Sequence, residues 1–420
     1  MKSSFNKNVL TLATGVSIGQ AIPLLISPIL TRIYSPEDFG ILALFLSIAT
    51  LISVISSGRY EQAIMLPDTD EEAMHLTVIS WTLAAISSVL MLLAIILFHP
   101  IIMNTINNQA LTTYIYFTPL LTFILATFNI LNILATRLNA FSLLSKVSVI
   151  KSMVNGSVQL IAGTLKGDAL GLILGQILGS LTQIVALFTN LRGRMLRLSF
   201  PALSSTKILL KRYKRFPQFS VAAVLSNTLT QNVLNISISS IFSIALLGYY
   251  SFANRILILP MSFLGNSIGQ VFFQEATSEK NETGSAQKTL KSTFWKLSLL
   301  SIVGFGFLHF IIQDLFVIVF GQNWAQAGLY ARYLIPMMAA KFVVSPLSAI
   351  NNIFNKQYIS LAWQVGFLTL TVISLGMVDY FDLAFSTFIN IYALVMAVYY
   401  LLMLPFIFTF ARGSNIPKST

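Results

Sequence analysis

Five basic residues stand inside long apolar stretches of this 420-residue chain: Arg59, Lys151, Arg255, Arg332 and Lys341. A cation near the middle of a membrane-spanning helix costs roughly 2.5–3.5 kcal/mol on insertion scales, so such residues face a partner or a water-filled cavity. Carboxylates to pair with them are scarce. The Asp and Glu residues fall almost entirely between the apolar stretches or at their ends, with Glu61 and Glu275 the exceptions. Glu61 is two positions from Arg59 and does not face it along a straight helix. Guanidinium and ammonium groups left without carboxylates give an interior with a positive field. Such an interior suits an anion that must cross a low-dielectric core: a phosphate, a pyrophosphate or an acidic sugar. Arginine meets phosphate through a planar fork of donors and lysine meets it as a point charge.

The five differ in how readily water could reach them. Lys341 lies far from both ends of its stretch, so snorkelling does not rescue it, whereas Lys151 is near one end and could serve as an anchor. Arg59, Arg255 and Arg332 lie about 10 Å inside the nearer end at the rise of a helix. Arg332 and Lys341 are nine positions apart, which at about 100° per residue puts them on opposite faces. Both can face one cavity only if Pro336 bends or unwinds the helix between them.

The elements that carry these residues follow from composition. The chain is 55% hydrophobic and only 10% charged, with a mean hydropathy of +0.79, which is too apolar for a soluble domain. Unbroken runs of about 20 apolar residues are helical spans, since barrel strands would alternate in polarity over about ten residues. Such runs fall at about 9–33, 39–66, 74–98, 110–135, 145–165, 168–191, 216–242, 247–274, 292–313, 326–353, 357–378 and 383–411. The fold class is therefore an all-α membrane protein of about 12 transmembrane helices. The first run is too long for a signal peptide and lacks an obvious small-residue cleavage site. Prolines within the runs, such as Pro23, Pro28, Pro260, Pro336 and Pro346, suggest bent spans.

The chain also repeats itself. Ile33, Tyr34, Ser35 and Gly40 are echoed about 208 residues later by Ile241, Phe242, Ser243 and Gly248, and Gln62 by Gln270 at the same offset. Between the halves, 192–215 carries Arg192, Arg194, Arg197, Lys207, Lys211, Arg212, Lys214 and Arg215. The expected organisation is a six-helix bundle over 1–191, a basic linker over 192–215 and a second six-helix bundle over 216–420. With an even number of spans each, the two bundles run parallel about a central cleft. Basic residues gather in the even-numbered connections and at both termini, which places both termini in the cytoplasm. The basic linker is explained by this topology and gives no reason to expect nucleic acid.

Several classes of chemistry find no support. There is no cysteine, hence no thiolate metal site or cysteine nucleophile, and the three histidines are scattered. No phosphate-binding glycine loop, His-Glu-x-x-His motif or nucleophile elbow occurs, so no enzyme, metal or cofactor is expected. Gly167, Gly171, Gly175 and Gly179, with Gly15 and Gly19, are spaced for close helix packing.

The stretch Thr31-Arg32-Ile33-Tyr34-Ser35-Pro36-Glu37-Asp38-Phe39-Gly40, followed by a span ending near Gly58 to Pro67, resembles the N-terminal signature of bacterial Wzx-type polysaccharide flippases. These belong to the multidrug/oligosaccharidyl-lipid/polysaccharide exporter superfamily. The resemblance covers about the first 70 residues, and the rest agrees in length, span number and repeat. It implies flipping of undecaprenyl-pyrophosphate-linked oligosaccharide across the bacterial inner membrane, by alternating access, for O-antigen, capsule or exopolysaccharide. The expected partners are that glycan, membrane lipid, a polysaccharide polymerase and a chain-length regulator. The rival within the same fold is a cation-coupled drug exporter, whose members commonly use intramembrane carboxylates that are nearly absent here. A membrane polymerase or ligase is disfavoured by odd-numbered connections too short for a catalytic loop. Arg32, beside Glu37 and Asp38, reads as an interfacial anchor.

Overall fold

The computed structural model describes residues 2–106, 111–195 and 203–413. Arg197 in the basic linker and Lys418 at the C-terminus lie outside the described residues. The described chain is helical throughout, without strands. In order, the helices are α1 (Lys2–Ile33), α2 (Pro36–Ser53), α3 (Asp70–Leu97), α4 (His99–Ile106), α5 (Thr118–Arg137), α6 (Phe141–Leu165), α7 (Ala169–Met195), α8 (Leu203–Arg212) and α9 (Val221–Ser237). They continue with α10 (Ile244–Pro260), α11 (Asn266–Thr283), α12 (Gln287–Phe320), α13 (Ala325–Leu347), α14 (Ile350–Ile353), α15 (Gln357–Phe381), α16 (Phe385–Leu402) and α17 (Leu404–Ala411). Among the described residues, 10 segments are long and apolar enough to cross a membrane. The two further runs expected as spans are α6 and α9, which are diluted by polar residues such as Lys146, Lys151, Asn155 and Gln159 on the first and Gln231, Asn232 and Asn235 on the second. This is a multi-pass, helical membrane protein.

By its contacts the chain divides into Met1–Gly248 and Tyr249–Thr420. The first unit thus includes α9 and the start of α10. Polar side chains fasten α9 to α2: Asn235 Nδ2 donates to Ser47 Oγ at 2.9 Å, and Thr50 Oγ1 to Asn232 Oδ1 at 3.4 Å. Within the membrane such bonds supply what apolar burial cannot, because lipid is as apolar as leucine.

The turn between α1 and α2 is built by its own side chains. Ser35 Oγ accepts from the Asp38 amide at 3.2 Å while Asp38 Oδ2 accepts from the Ser35 amide at 2.9 Å, a reciprocal cap with Pro36 opening the helix. Tyr34, 2% exposed, donates its hydroxyl to the Gln159 carbonyl at 2.6 Å. Its ring end fits where α6 and α7 present Gly163 and Gly171; a Cβ on Gly171 would lie 2.2 Å from the Tyr34 hydroxyl oxygen. A Cβ on Gly175 or Gly179 of α7 would lie 2.8 Å from the Asn155 carbonyl oxygen or 2.9 Å from the Lys151 carbonyl oxygen of α6, and one on Gly15 or Gly19 of α1 would meet Ser145 or Ser148. The expected small-residue packing faces are present. The repeat reappears at the second turn, where Ser243 Oγ accepts from the Leu246 amide at 3.2 Å.

The second span of each half is interrupted at the same place in the repeat. In the first half α2 ends at Ser53, the backbone turns left-handed at Gly58 (φ 61°) and Arg59 (φ 63°), and a 3-10 turn runs Tyr60–Met65. In the second half a π turn, Met261–Gly265, separates α10 from α11. The straight helix expected over 39–66 is thus broken.

In the second unit, α13 packs along its length against both α12 and α16. Trp324, fully buried, is ringed by Phe252 at 4.6 Å and Tyr249 at 6.0 Å, and Phe252 meets Phe316 and Phe320 edge to face. α13 stays an unbroken α-helix through Pro336.

Candidate functional site

Arg59 sits on the break after α2. The left-handed backbone at Gly58 and Arg59 reverses the chain sharply, so residues two apart meet: Arg59 Nη1 lies 3.1 Å from Glu61 Oε1. This corrects the expectation that Glu61 cannot face Arg59, which assumed a straight helix. Glu61 is 2% exposed, and its second oxygen accepts a short hydrogen bond from Ser57. Burying a carboxylate is tolerable only with such partners. The Arg59 side chain keeps 17% of its exposure, while its Nε is buried with no protein partner among the described residues. A non-glycine residue at positive φ is uncommon and marks a place where the surroundings dictate the backbone.

Lys151, on α6, places its ammonium 6.0 Å from the centre of the Phe128 ring on α5, a cation–π contact. It is partly exposed and makes no ion pair among the described residues. Thus Arg59 and Lys151 belong to the first unit, and Arg255, Arg332 and Lys341 to the second.

Arg255, on α10, is exposed and makes no ion pair with any described carboxylate. Arg332, on α13, donates from Nε to His309 Nε2 of α12 at 3.4 Å. Lys341, nine residues further on the same helix, is partly exposed and has no ion-pair partner among the described residues. Because α13 is not unwound at Pro336, Arg332 turns to α12 and Lys341 leaves the helix about half a turn away. The ion pairs among the described residues are Arg59–Glu61, Arg137–Asp70 and Arg212–Glu72, so four of the five candidate cations have no carboxylate held against them.

Sequence reasoning missed Glu61, Ser57 and His309 as partners. The signal for the first two was Gly58, a residue free to take positive φ beside Arg59. Nothing in the spacing of His309 and Arg332 announces their contact, which depends on how α12 and α13 pair. Among the described residues no cluster of His, Asp and Glu could hold a metal ion.

With this geometry in hand, the comparisons with known proteins are specific. No curated protein sequence matches the chain. Among solved structures, the fold is similar to the lipid II flippase MurJ in an inward closed conformation, at TM-score 0.73 and 10% identity, covering 94% of this chain and 87% of that one. It is also similar to an inward-facing multidrug resistance MATE family transporter of the MOP superfamily, at TM-score 0.60 and 16% identity, over 94% and 95% of the two chains. A MOP superfamily transporter from Pyrococcus furiosus, whose binding pocket is described as reversed in polarity, is similar at TM-score 0.57 and 17% identity over 96% of each chain. These likenesses fix the fold as that of the MOP transporters. Residues 29–328 match the polysaccharide biosynthesis protein family, so the resemblance first carried by Thr31 to Gly40 extends over most of the chain, which belongs to that family.

Proposed function

We propose that the protein flips undecaprenyl-pyrophosphate-linked oligosaccharide units from the cytoplasmic to the periplasmic face of the bacterial inner membrane, for assembly of a surface polysaccharide such as O-antigen, capsule or exopolysaccharide. The observation that carries this reading is the set of cations on membrane-spanning helices, Lys151, Arg255, Arg332 and Lys341, with no carboxylate held against them among the described residues. A cation that bears the cost of the bilayer without a carboxylate is matched to an anion that comes and goes. The family match supports a role in polysaccharide biosynthesis.

In this reading both termini are cytoplasmic and the protein performs no covalent chemistry. The halves alternate access, the cations receive the pyrophosphate and acidic sugars, and the lipid tail stays in the bilayer. A polymerase and a chain-length regulator act on the delivered unit. The drug-exporter alternative would need Glu61 and Glu275 as coupling carboxylates, and of these Glu61 is held by Arg59 and Ser57.

The test is single replacement of Arg59, Arg255, Arg332 and Lys341 by Ala in the native host. Surface polysaccharide is expected to fall in all four, with the amount of protein in the membrane constant for Arg255, Arg332 and Lys341, which hold no carboxylate among the described residues. Undiminished export in all four would overturn the reading. A deletion strain that is hypersensitive to drugs yet keeps its surface glycan would establish the alternative.

A further inference from the structure

A groove of about 610 Å³ runs between α1 and α6 of the first unit. The two helices lie side by side and point the same way: a Cβ on Gly15 would meet Ser145, one on Gly19 Ser148, one on Gly156 Ile26 and one on Gly163 Ile33. The lining is therefore graded along a shared direction. At one end stand Thr14 and Ser145, each with a hydroxyl, and Lys146 with its ammonium. About one turn further along both helices come Ile18, Val149 and Ile150. Ile18 and Ile150 are exposed at 48% and 38%, so the apolar half opens sideways.

The polar end lies at a membrane surface by either helix. The turn after Ile33, with Ser35, Glu37 and Asp38, marks one interface, and crossing the apolar core takes about 20 helical residues. Counted back along α1 from Ile33, that length ends at Thr14; counted back along α6 from Lys166, its C-cap, it ends at Lys146. The ammonium thus lies at the depth of lipid head groups, and the isoleucines lie at the depth of acyl chains. Lys146 is exposed and makes no ion pair among the described residues. A single phosphodiester complements one lysine flanked by hydroxyls, whereas a pyrophosphate carries more charge than one lysine answers. The lining holds no carboxylate, so the ammonium of phosphatidylethanolamine would find no partner there and would meet Lys146 as a like charge.

We propose that this groove is a site for an anionic phospholipid of the phosphatidylglycerol type, drawn from the leaflet at the N-terminal end of α1. Its phosphate rests on Lys146 and an acyl chain follows Ile18, Val149 and Ile150. Basic pockets between spans recognise lipid heads in this way. The lipid joins α1 to α6 at one end, as the Tyr34 hydroxyl on the Gln159 carbonyl joins them at the other. Lys151, which turns to Phe128 of α5, is not part of the site, so the lipid and the transported substrate draw on different cations.

The test uses the full chain in phosphatidylcholine nanodiscs containing a trace of phosphatidylglycerol with a photoactivatable group on its acyl chain. Labelled residues are identified by mass spectrometry. Label is expected at Ile18, Val149 and Ile150, displaced by unlabelled phosphatidylglycerol and retained in the same excess of phosphatidylethanolamine. Lys146→Gln is expected to lower that label about fivefold, the equivalent of about 1 kcal/mol for one cation at a lipid surface. Lys146→Arg, which keeps the charge, is expected to retain it. Equal displacement by phosphatidylethanolamine would make the groove a seat for bulk lipid and overturn the inference, a result read on the wild-type protein. Label in Lys146→Gln equal to that of the wild-type protein would overturn it as well. Stronger displacement by undecaprenyl pyrophosphate than by phosphatidylglycerol would give the groove to a different occupant, and label absent from these positions, as a second copy of the chain seated there would leave it, would do the same. Each of these results overturns the lipid site and leaves the functional reading standing.

Discussion

Gly40 and Gly248, equivalent positions of the internal repeat, lie against one another. A Cβ on Gly40 would fall 1.9 Å from the Ile244 carbonyl oxygen, and a Cβ on Gly248 would fall 1.8 Å from the Pro36 carbonyl oxygen. Pro36 and Ile244 are themselves separated by the repeat offset, so the contact is reciprocal: the first turn of α2 and the first turn of α10 cross backbone to backbone. Only glycine permits that approach.

Gly40→Ala or Gly248→Ala is therefore expected to force the two helix starts apart. The expected outcome is a lower unfolding temperature and a loss of surface polysaccharide, with Gly376→Ala, which meets nothing within 4 Å, as the neutral control. Thermal unfolding of the purified variants checks the first and quantitation of surface glycan the second.

The Arg59–Glu61 pair should show strong coupling. Removing one member of a buried pair leaves a charge without compensation and costs about 3–5 kcal/mol. Arg59→Ala and Glu61→Ala are each expected to destabilise the protein by about that much, and the double variant by less than the sum. A double-mutant cycle on unfolding free energy reads the difference directly; additive costs would mean the two side chains do not depend on one another.

Tyr34→Phe deletes the hydrogen bond to the Gln159 carbonyl while keeping the ring that fills the space beside Gly163 and Gly171. The expected cost is about 1 kcal/mol. Gly171→Ala, with its Cβ 2.2 Å from the Tyr34 hydroxyl oxygen, should cost more and should cost less in the Tyr34→Phe background. Unfolding measurements on the three variants suffice.

Glu279 offers a pH signature. The helical segment 244–283 is far longer than the about 20 residues a bilayer needs, so its charged end lies beyond the apolar part. There Glu279 accepts from the amides of Lys288 at 2.9 Å and Thr289 at 2.7 Å, capping α12. Burial alone would raise the carboxyl, but the Thr289 and Lys288 hydrogen bonds and the Lys288 charge outweigh it and hold the group below its usual 4.5. A depressed carboxyl contributes stability that is present above the usual value and is lost as pH falls through the lowered one. Amide protection at Lys288 and Thr289 should be constant from neutral pH to about 4.5 and fall below it, whereas Glu279→Gln should be weakly protected throughout.

The helical, membrane-spanning character of the chain was legible in the amino acids, because runs of about 20 apolar residues dictate helices that cross a bilayer. Tyr34, Ser35 and Gly40 marked the turn, and the structure gives each a task in it: a plug between α6 and α7, a cap, and a crossing point. The candidate site was read from the sequence only as a list of cations. Their partners depend on geometry that no spacing rule carries: the left-handed reversal at Gly58 and Arg59 that brings Glu61 back, and the α12–α13 pairing that brings His309 to Arg332. Helical periodicity also could not locate the breaks after Ser53 and at Met261–Gly265, since the residues around them are as apolar or as small as those in unbroken helix. The groove beside Lys146 escaped because it is formed by two helices distant in sequence.

The central claim, that this chain moves a lipid-linked glycan across a membrane, is tested most directly by deleting its gene in the native host and identifying the lipid that accumulates. The expected result is an undecaprenyl-pyrophosphate-linked oligosaccharide held on the cytoplasmic face, inaccessible to a membrane-impermeant reagent for its sugars, together with loss of surface polysaccharide. Normal surface polysaccharide with no accumulated lipid-linked oligosaccharide would contradict it.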